Sequence, residues 1–126
     1  MSDQPRNIQE RTFVFGVNVI AVVNRLPRTT AGLAVGQQLV RAGTSVGANM
    51  QEADEAESGR DFAHKTGIAL KEAKEAHYWL RMAEATLLPA DDVIRALIRE
   101  AREVVLILAA IRRKAMQNPR RSRLRA

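Results

Sequence analysis

Residues 60–87 read RDFAHKTGIALKEAKEAHYWLRMAEATL. Within them Phe62, Thr66, Ala69, Ala73, Ala76, Leu80, Ala83 and Leu87 recur at alternating spacings of four and three. That is a heptad seam, the pattern of one helix laid along another. Its middle is alanine, so a partner helix comes near. Ser58 stands as an N-cap and Asp61 suits the positive end of the helix dipole.

The preceding segment, Ala31 to Glu57, supplies that partner. Its seam is Leu39, Ala42/Gly43, Val46, Met50 and Ala53, while Gly32, Gly36, Gly43 and Gly47 share one side. Each helical glycine costs about 1 kcal/mol against alanine. Four of them predict close backbone approach to a neighbour. The alanine seam of residues 60–87 is the expected neighbour, and the short connection at Ser58 makes the pair antiparallel.

Two further segments flank this pair. Ile8, Thr12, Phe15, Val19, Val22 and Leu26 form a helical stripe over Ile8–Arg25, with Asn7 and Glu10 as a capping box. Pro27 ends that helix, and Thr29 or Thr30 caps the next. Leu88-Pro89-Ala90 breaks the third segment, with Pro89 placed for a first helical turn. Ile94, Leu97, Ala101, Val104, Leu108, Ile111 and Ala115 stripe a fourth helix over Ala90–Met116, stopped by Asn118-Pro119. Asp91 and Asp92 suit its N-terminal dipole. The expected fold is all-α: an up-down-up-down antiparallel four-helix bundle over 1–118, oligomeric, with a disordered or loosely helical basic tail at 119–126.

Length and composition agree. A chain of 126 residues fits one domain. Cysteine is absent, which excludes disulfides, thiolate metal sites and a cysteine nucleophile. The longest apolar run, Val104 to Ile111, is far short of the roughly 20 residues of a membrane span. With no targeting signal evident, a soluble cytoplasmic protein without membrane partners is expected.

The first and fourth helices carry more apolar surface than one bundle hides. Phe13, Val17 and Ile20 make a second face on the first, and Val105, Leu106 and Ile107 help Val104–Ile111 point in every direction for two turns. Such surface predicts a homo-oligomer meeting through these six residues. The alternative is a tilted bundle that covers more of the fourth helix.

The net charge of +6 is local. Residues 1–111 carry thirteen cations and all 14 acids, so that part is near neutral. The remaining cations are Arg112, Arg113, Lys114, Arg120, Arg121, Arg123 and Arg125, with no acid among them. Such a cluster can neutralise nucleic-acid phosphates, or simply solubilise a terminus.

Gln38, Arg41, Ser45, Asn49 and Glu52 form a polar stripe on the second helix. With Lys65 or Glu72 as partners it reads as an interhelical or subunit-interface network, with a solvated face or a ligand contact as alternatives. Glu52, Glu55, Glu72 and Glu75 give two Glu-x-x-Glu pairs, but His77 and His64 lack the Glu-x-x-His spacing of a di-iron bundle. Surface ion pairs such as Glu72 with Lys65 or Lys71 with Glu75 explain these carboxylates better. Gly43-Thr44-Ser45-Val46-Gly47 lacks the Lys-Ser/Thr end of a P-loop, and Ser45 has no histidine beside it in sequence. No enzyme activity, metal or cofactor is expected. Trp79 and Tyr78 could stack on bases, although Trp79 reads better as a core or interface anchor.

Two stretches carry a family resemblance: Leu39-Val40-Arg41-Ala42-Gly43-Thr44-Ser45-Val46-Gly47-Ala48-Asn49-Met50-Gln51-Glu52-Ala53, and Asp61-Phe62-Ala63-His64-Lys65-Thr66-Gly67-Ile68-Ala69-Leu70-Lys71-Glu72-Ala73 with Tyr78-Trp79-Leu80. Together they resemble the bacterial four helix bundle protein family, whose early members were found encoded in intervening sequences of 23S rRNA genes. That family is similar in fold to the accessory protein of diversity-generating retroelements, which assists a reverse transcriptase. The resemblance covers residues 8–116, with Arg41, Ser45, Asn49, Glu52, Phe62, Lys65, Glu72 and Trp79 at matching positions. The chain departs from it where Gly47 replaces a common proline, and in lacking a tryptophan in the first helix. The resemblance implies a homopentamer with a nucleic-acid role and no established enzyme activity. A protein-interaction scaffold without nucleic-acid binding is the alternative.

Overall fold

The computed structural model describes residues 8–117. Four helices occupy them: α1 (Ile8–Val23), α2 (Thr30–Asp54), α3 (Gly59–Thr86) and α4 (Asp92–Gln117). Among the described residues there is no strand. The proposed Asn7 cap and the tail from 118 onward lie outside the described residues.

Local chemistry sets the ends. The α1 helix closes at Val23, earlier than Arg25, because the Arg25 amide turns back to the Val22 carbonyl at 2.9 Å ahead of Pro27. Thr29 is the N-cap of α2, its hydroxyl accepting from the Gly32 amide at 3.0 Å. Helix α2 stops at Asp54 rather than Glu57, since Ser58 must be extended (φ −150°) to cap α3. The Ser58 hydroxyl accepts from the Asp61 amide at 3.0 Å. Helix α4 begins at Asp92 rather than Ala90. Ala90 has φ 59°, a left-handed turn conformation that no helix continues, and Asp91 caps the helix by accepting from the Ile94 amide at 2.9 Å.

The expected stripes make the core. Phe15, Val19 and Val22 of α1, Leu39, Val46 and Met50 of α2, Leu80 of α3, and Ile94, Val104 and Leu108 of α4 are fully buried. Ala69, Ala73, Ala76 and Ala83 line the α3 seam, also sealed from solvent. Ile8 and Leu87, at the ends of their stripes, and Ile111, one step before buried Ala115, are only half-buried. Each helix packs on the next in sequence, and α1 also touches α4. No described helix is long and apolar enough to cross a membrane.

The glycine face of α2 meets a different neighbour from the one expected. A Cβ on Gly43 would lie 2.7 Å from Cγ1 of Val19, and one on Gly47 would lie 3.1 Å from the Thr12 carbonyl oxygen. Both neighbours belong to α1, not to the alanine seam of α3. Gly16 of α1 returns the contact, facing the backbone of Gly43 and Thr44. Close approach is therefore the α1–α2 contact, while the alanines of α3 narrow the core itself.

Candidate functional site

Three surface features were legible as chemistry in the sequence, and the fold places each of them. The first is the apolar back of α1. Phe13 is 64% exposed, and Val17 and Ile20 are exposed beside it. They border a groove of about 330 Å³ between α1 and α2, floored by Gly16, Gly47 and Ala48. The groove exists because glycines leave no side chains to fill it. On α4, Leu106 is 56% exposed, whereas Val105 and Ile107 are half-buried and Val105 packs against the core. The fourth helix therefore hides part of the surface that its sequence spreads in all directions.

The second feature is the polar stripe of α2, which divides into two ion-pair groups. Arg41 reaches across to α3, contacting Glu72 at 3.1 Å and also Glu75, and Gln38 accepts from the same guanidinium at 3.3 Å. Glu75 also accepts from the Trp79 indole at 3.1 Å. Lys65 pairs with Glu52 at 2.6 Å. Ser45 and Asn49 bond instead to carbonyls of their own helix, at 2.6 and 2.9 Å. Glu72 and Glu75 thus pair with Arg41 across the helix interface, not with Lys65 and Lys71 as sequence proximity suggested. Trp79 is half-buried, with Tyr78 edge-on at 5.0 Å between ring centroids. No group of three or more acidic or histidine side chains is placed to hold a metal ion among the described residues.

The third feature is the basic end of α4. Arg113 and Lys114 are exposed and Arg112 is half-buried. Arg112 lies over Gly67 of α3, where a Cβ would come within 2.7 Å of its Nε. It lines a cavity of about 440 Å³ together with His64, Gly67, Lys71 and Lys74. A second cavity of about 380 Å³ shares Arg112 and adds Arg113, Leu70, Ala109 and Met116. Arg120, Arg121, Arg123 and Arg125 lie outside the described residues. The contribution of Lys71 and Lys74 was missed in the sequence, although His64, Gly67, Lys71 and Lys74 recur at spacings of 3, 4 and 3 on one face.

Charge pairs tie the rest of the bundle. Arg11 of α1 grips Glu100 of α4 with two parallel bonds of 2.8 and 2.9 Å, which raises the guanidinium pKa. Arg25 pairs with Asp91, holding that carboxyl below its ordinary range. Burial pushes the His77 imidazole down, and Arg81 and Arg102 add to the shift.

The family model described as "23S rRNA-intervening sequence protein" matches residues 6–110. The chain belongs to that family. The match takes in all of α1, α2 and α3 and most of α4, so the apolar groove, the Arg41 cluster and Lys71 and Lys74 lie inside it, and Arg112 falls just beyond. Among solved structures, the chain is similar to the crystal structure of a protein with unknown function from the S23 ribosomal protein family of Bacteroides thetaiotaomicron. Identity is 30%, the match covers 83% of this chain and 97% of that one, and the TM-score is 0.76. No curated protein matches.

Proposed function

We propose that this member of the 23S rRNA-intervening sequence protein family is a non-enzymatic homo-oligomer, a pentamer, that binds nucleic acid or assists a nucleic-acid enzyme in the cytoplasm. Each copy is an up-down-up-down bundle. The ion pairs support that topology, since Arg41 meets Glu72 and Glu75 while the later Glu52 meets the earlier Lys65. The observation that carries the reading is the unpartnered apolar back of α1: Phe13, Val17 and Ile20 lie exposed along a glycine-floored groove. Soluble monomers avoid contiguous apolar patches of this kind, and Leu106 extends the apolar surface on α4. Copies that associate through these faces bring together seven terminal cations each, Arg112 onward, and multivalency turns weak phosphate contacts into useful affinity.

A gel-shift assay with RNA and DNA over a salt series tests this, using the full chain and a version ending at Asn118. The full chain binds at low salt with affinity falling steeply as salt rises, and the shortened chain binds more weakly. If neither version binds at low salt, the protein is an interaction scaffold without a nucleic-acid role.

A further inference from the structure

The groove between α3 and the end of α4 has a construction that general basicity does not require. Lys71 and Lys74 lie on α3, Arg112 lies on α4, and all three line one concavity with His64. Among the described residues no carboxylate pairs with any of these three cations, and unlike Arg81 and Arg99, which are unpaired singly on open surface, they gather on one concavity. Like charges gathered on one concavity raise its positive potential and favour an anion there. The Nε of Arg112 lies over Gly67, sealed from solvent and without a hydrogen-bond partner, a donor left unsatisfied by the protein itself. That seat exists only because residue 67 has no side chain.

We propose that this groove is a phosphoryl-binding subsite, in which Arg112, Lys71 and Lys74 hold one phosphate group of a polynucleotide. The proposal rests on the nucleic-acid reading above and names where on the bundle the contact is made. A planar guanidinium and two ammonium groups lining one concavity supply several donors for the oxygens of a phosphate. Phosphate could come from a nucleic-acid backbone or from a free ion. The adjoining cavity favours the backbone: it shares Arg112, and Leu70, Ala109 and Met116 give it an apolar wall for a sugar or base.

The test titrates the full chain with a labelled oligouridylate and, separately, with inorganic pyrophosphate, following anisotropy and the NMR signal of the Arg112 Nε–H. Oligouridylate moves that signal, and Arg112→Gln lowers its affinity about tenfold and reduces the salt slope by about one. Gly67→Ala, which keeps every charge but unseats Arg112, also weakens binding. Arg99→Gln, an equal charge loss elsewhere on α4, leaves affinity within about twofold, as expected for one screened distant charge. If Arg112→Gln and Arg99→Gln bind oligouridylate equally well, the subsite is refuted while nucleic-acid binding stands. If pyrophosphate moves the Arg112 signal and oligouridylate does not bind, the groove takes a free phosphate only, and the polynucleotide subsite falls together with the nucleic-acid reading. If neither ligand moves the signal, the subsite is refuted.

Discussion

A single methyl group added at Gly43 tests how α1 and α2 are held together. In Gly43→Ala the new carbon would lie 2.7, 2.8 and 3.0 Å from Cγ1, Cγ2 and Cβ of Val19. Carbon atoms prefer about 3.5–4.0 Å, so three contacts are each roughly 1 Å too close. Val19 is fully buried, and as a β-branched residue it has one strongly preferred rotamer in a helix. It cannot swing aside, so α1 must move. Overpacking of this kind costs about 1–3 kcal/mol, and replacing a helical glycine returns up to about 1 kcal/mol. With the full return the expected net loss is about 0–2 kcal/mol. Gly36→Ala is the matched comparison. Its new carbon meets Leu26 Cδ1 and Val23 Cγ1 at 3.5 Å, ordinary contact distance. That substitution keeps the propensity gain and stabilises by about 0.5–1 kcal/mol. Urea unfolding followed by circular dichroism, at one protomer concentration throughout, reads both. In a Val19→Ala background the two closest contacts are gone and only the one to Cβ remains, so Gly43→Ala loses most of its penalty and the cycle shows coupling of about 1–2 kcal/mol. Equal stability changes at Gly43 and Gly36, or no coupling to Val19, would refute the packing argument.

Other predictions follow from single contacts. Thr66→Val removes a hydroxyl that is fully buried without a hydrogen-bond partner, so thermal unfolding should show a gain of about 1 kcal/mol. Because the folded-state pKa of His77 is lowered, its stabilising share is present above the unfolded pKa of about 6.5 and is lost as pH falls through the folded value. His77→Gln should flatten the pH dependence of urea midpoints below neutrality. Arg11→Met breaks the two-bond pair with Glu100, and a loss of about 1 kcal/mol, smaller at high salt, is expected from salt-series unfolding.

Periodicity made the helices and their buried faces readable, because apolar residues three and four apart report directly which side meets the core. Caps were readable where a hydroxyl stood before a helix, as at Ser58 and Thr29. A stripe names a face and not its neighbour, so the glycines of α2 were assigned to α3 when their partner is α1. Glu72 was read as a partner of the Arg41 stripe, but the same limit hid that Glu75 joins it. Lys65 and Lys71 are near in sequence, but Arg41 is near in space once α2 lies along α3. The start of α4 was misplaced because Pro89 suits a first helical turn, while the left-handed Ala90 behind it carries no sequence signal. The basic groove needed two helices to be placed before Lys71, Lys74 and Arg112 could be seen together.

The exposed back of α1, read as an interface between copies, carries the proposed function. Sedimentation equilibrium of the full chain and of a Phe13→Glu/Val17→Glu variant tests it directly. The unaltered chain is expected to sediment as a closed assembly of five 14.0 kDa copies, and the variant as single folded chains. An unaltered chain that sediments as a stable 14.0 kDa monomer at micromolar concentration would contradict it.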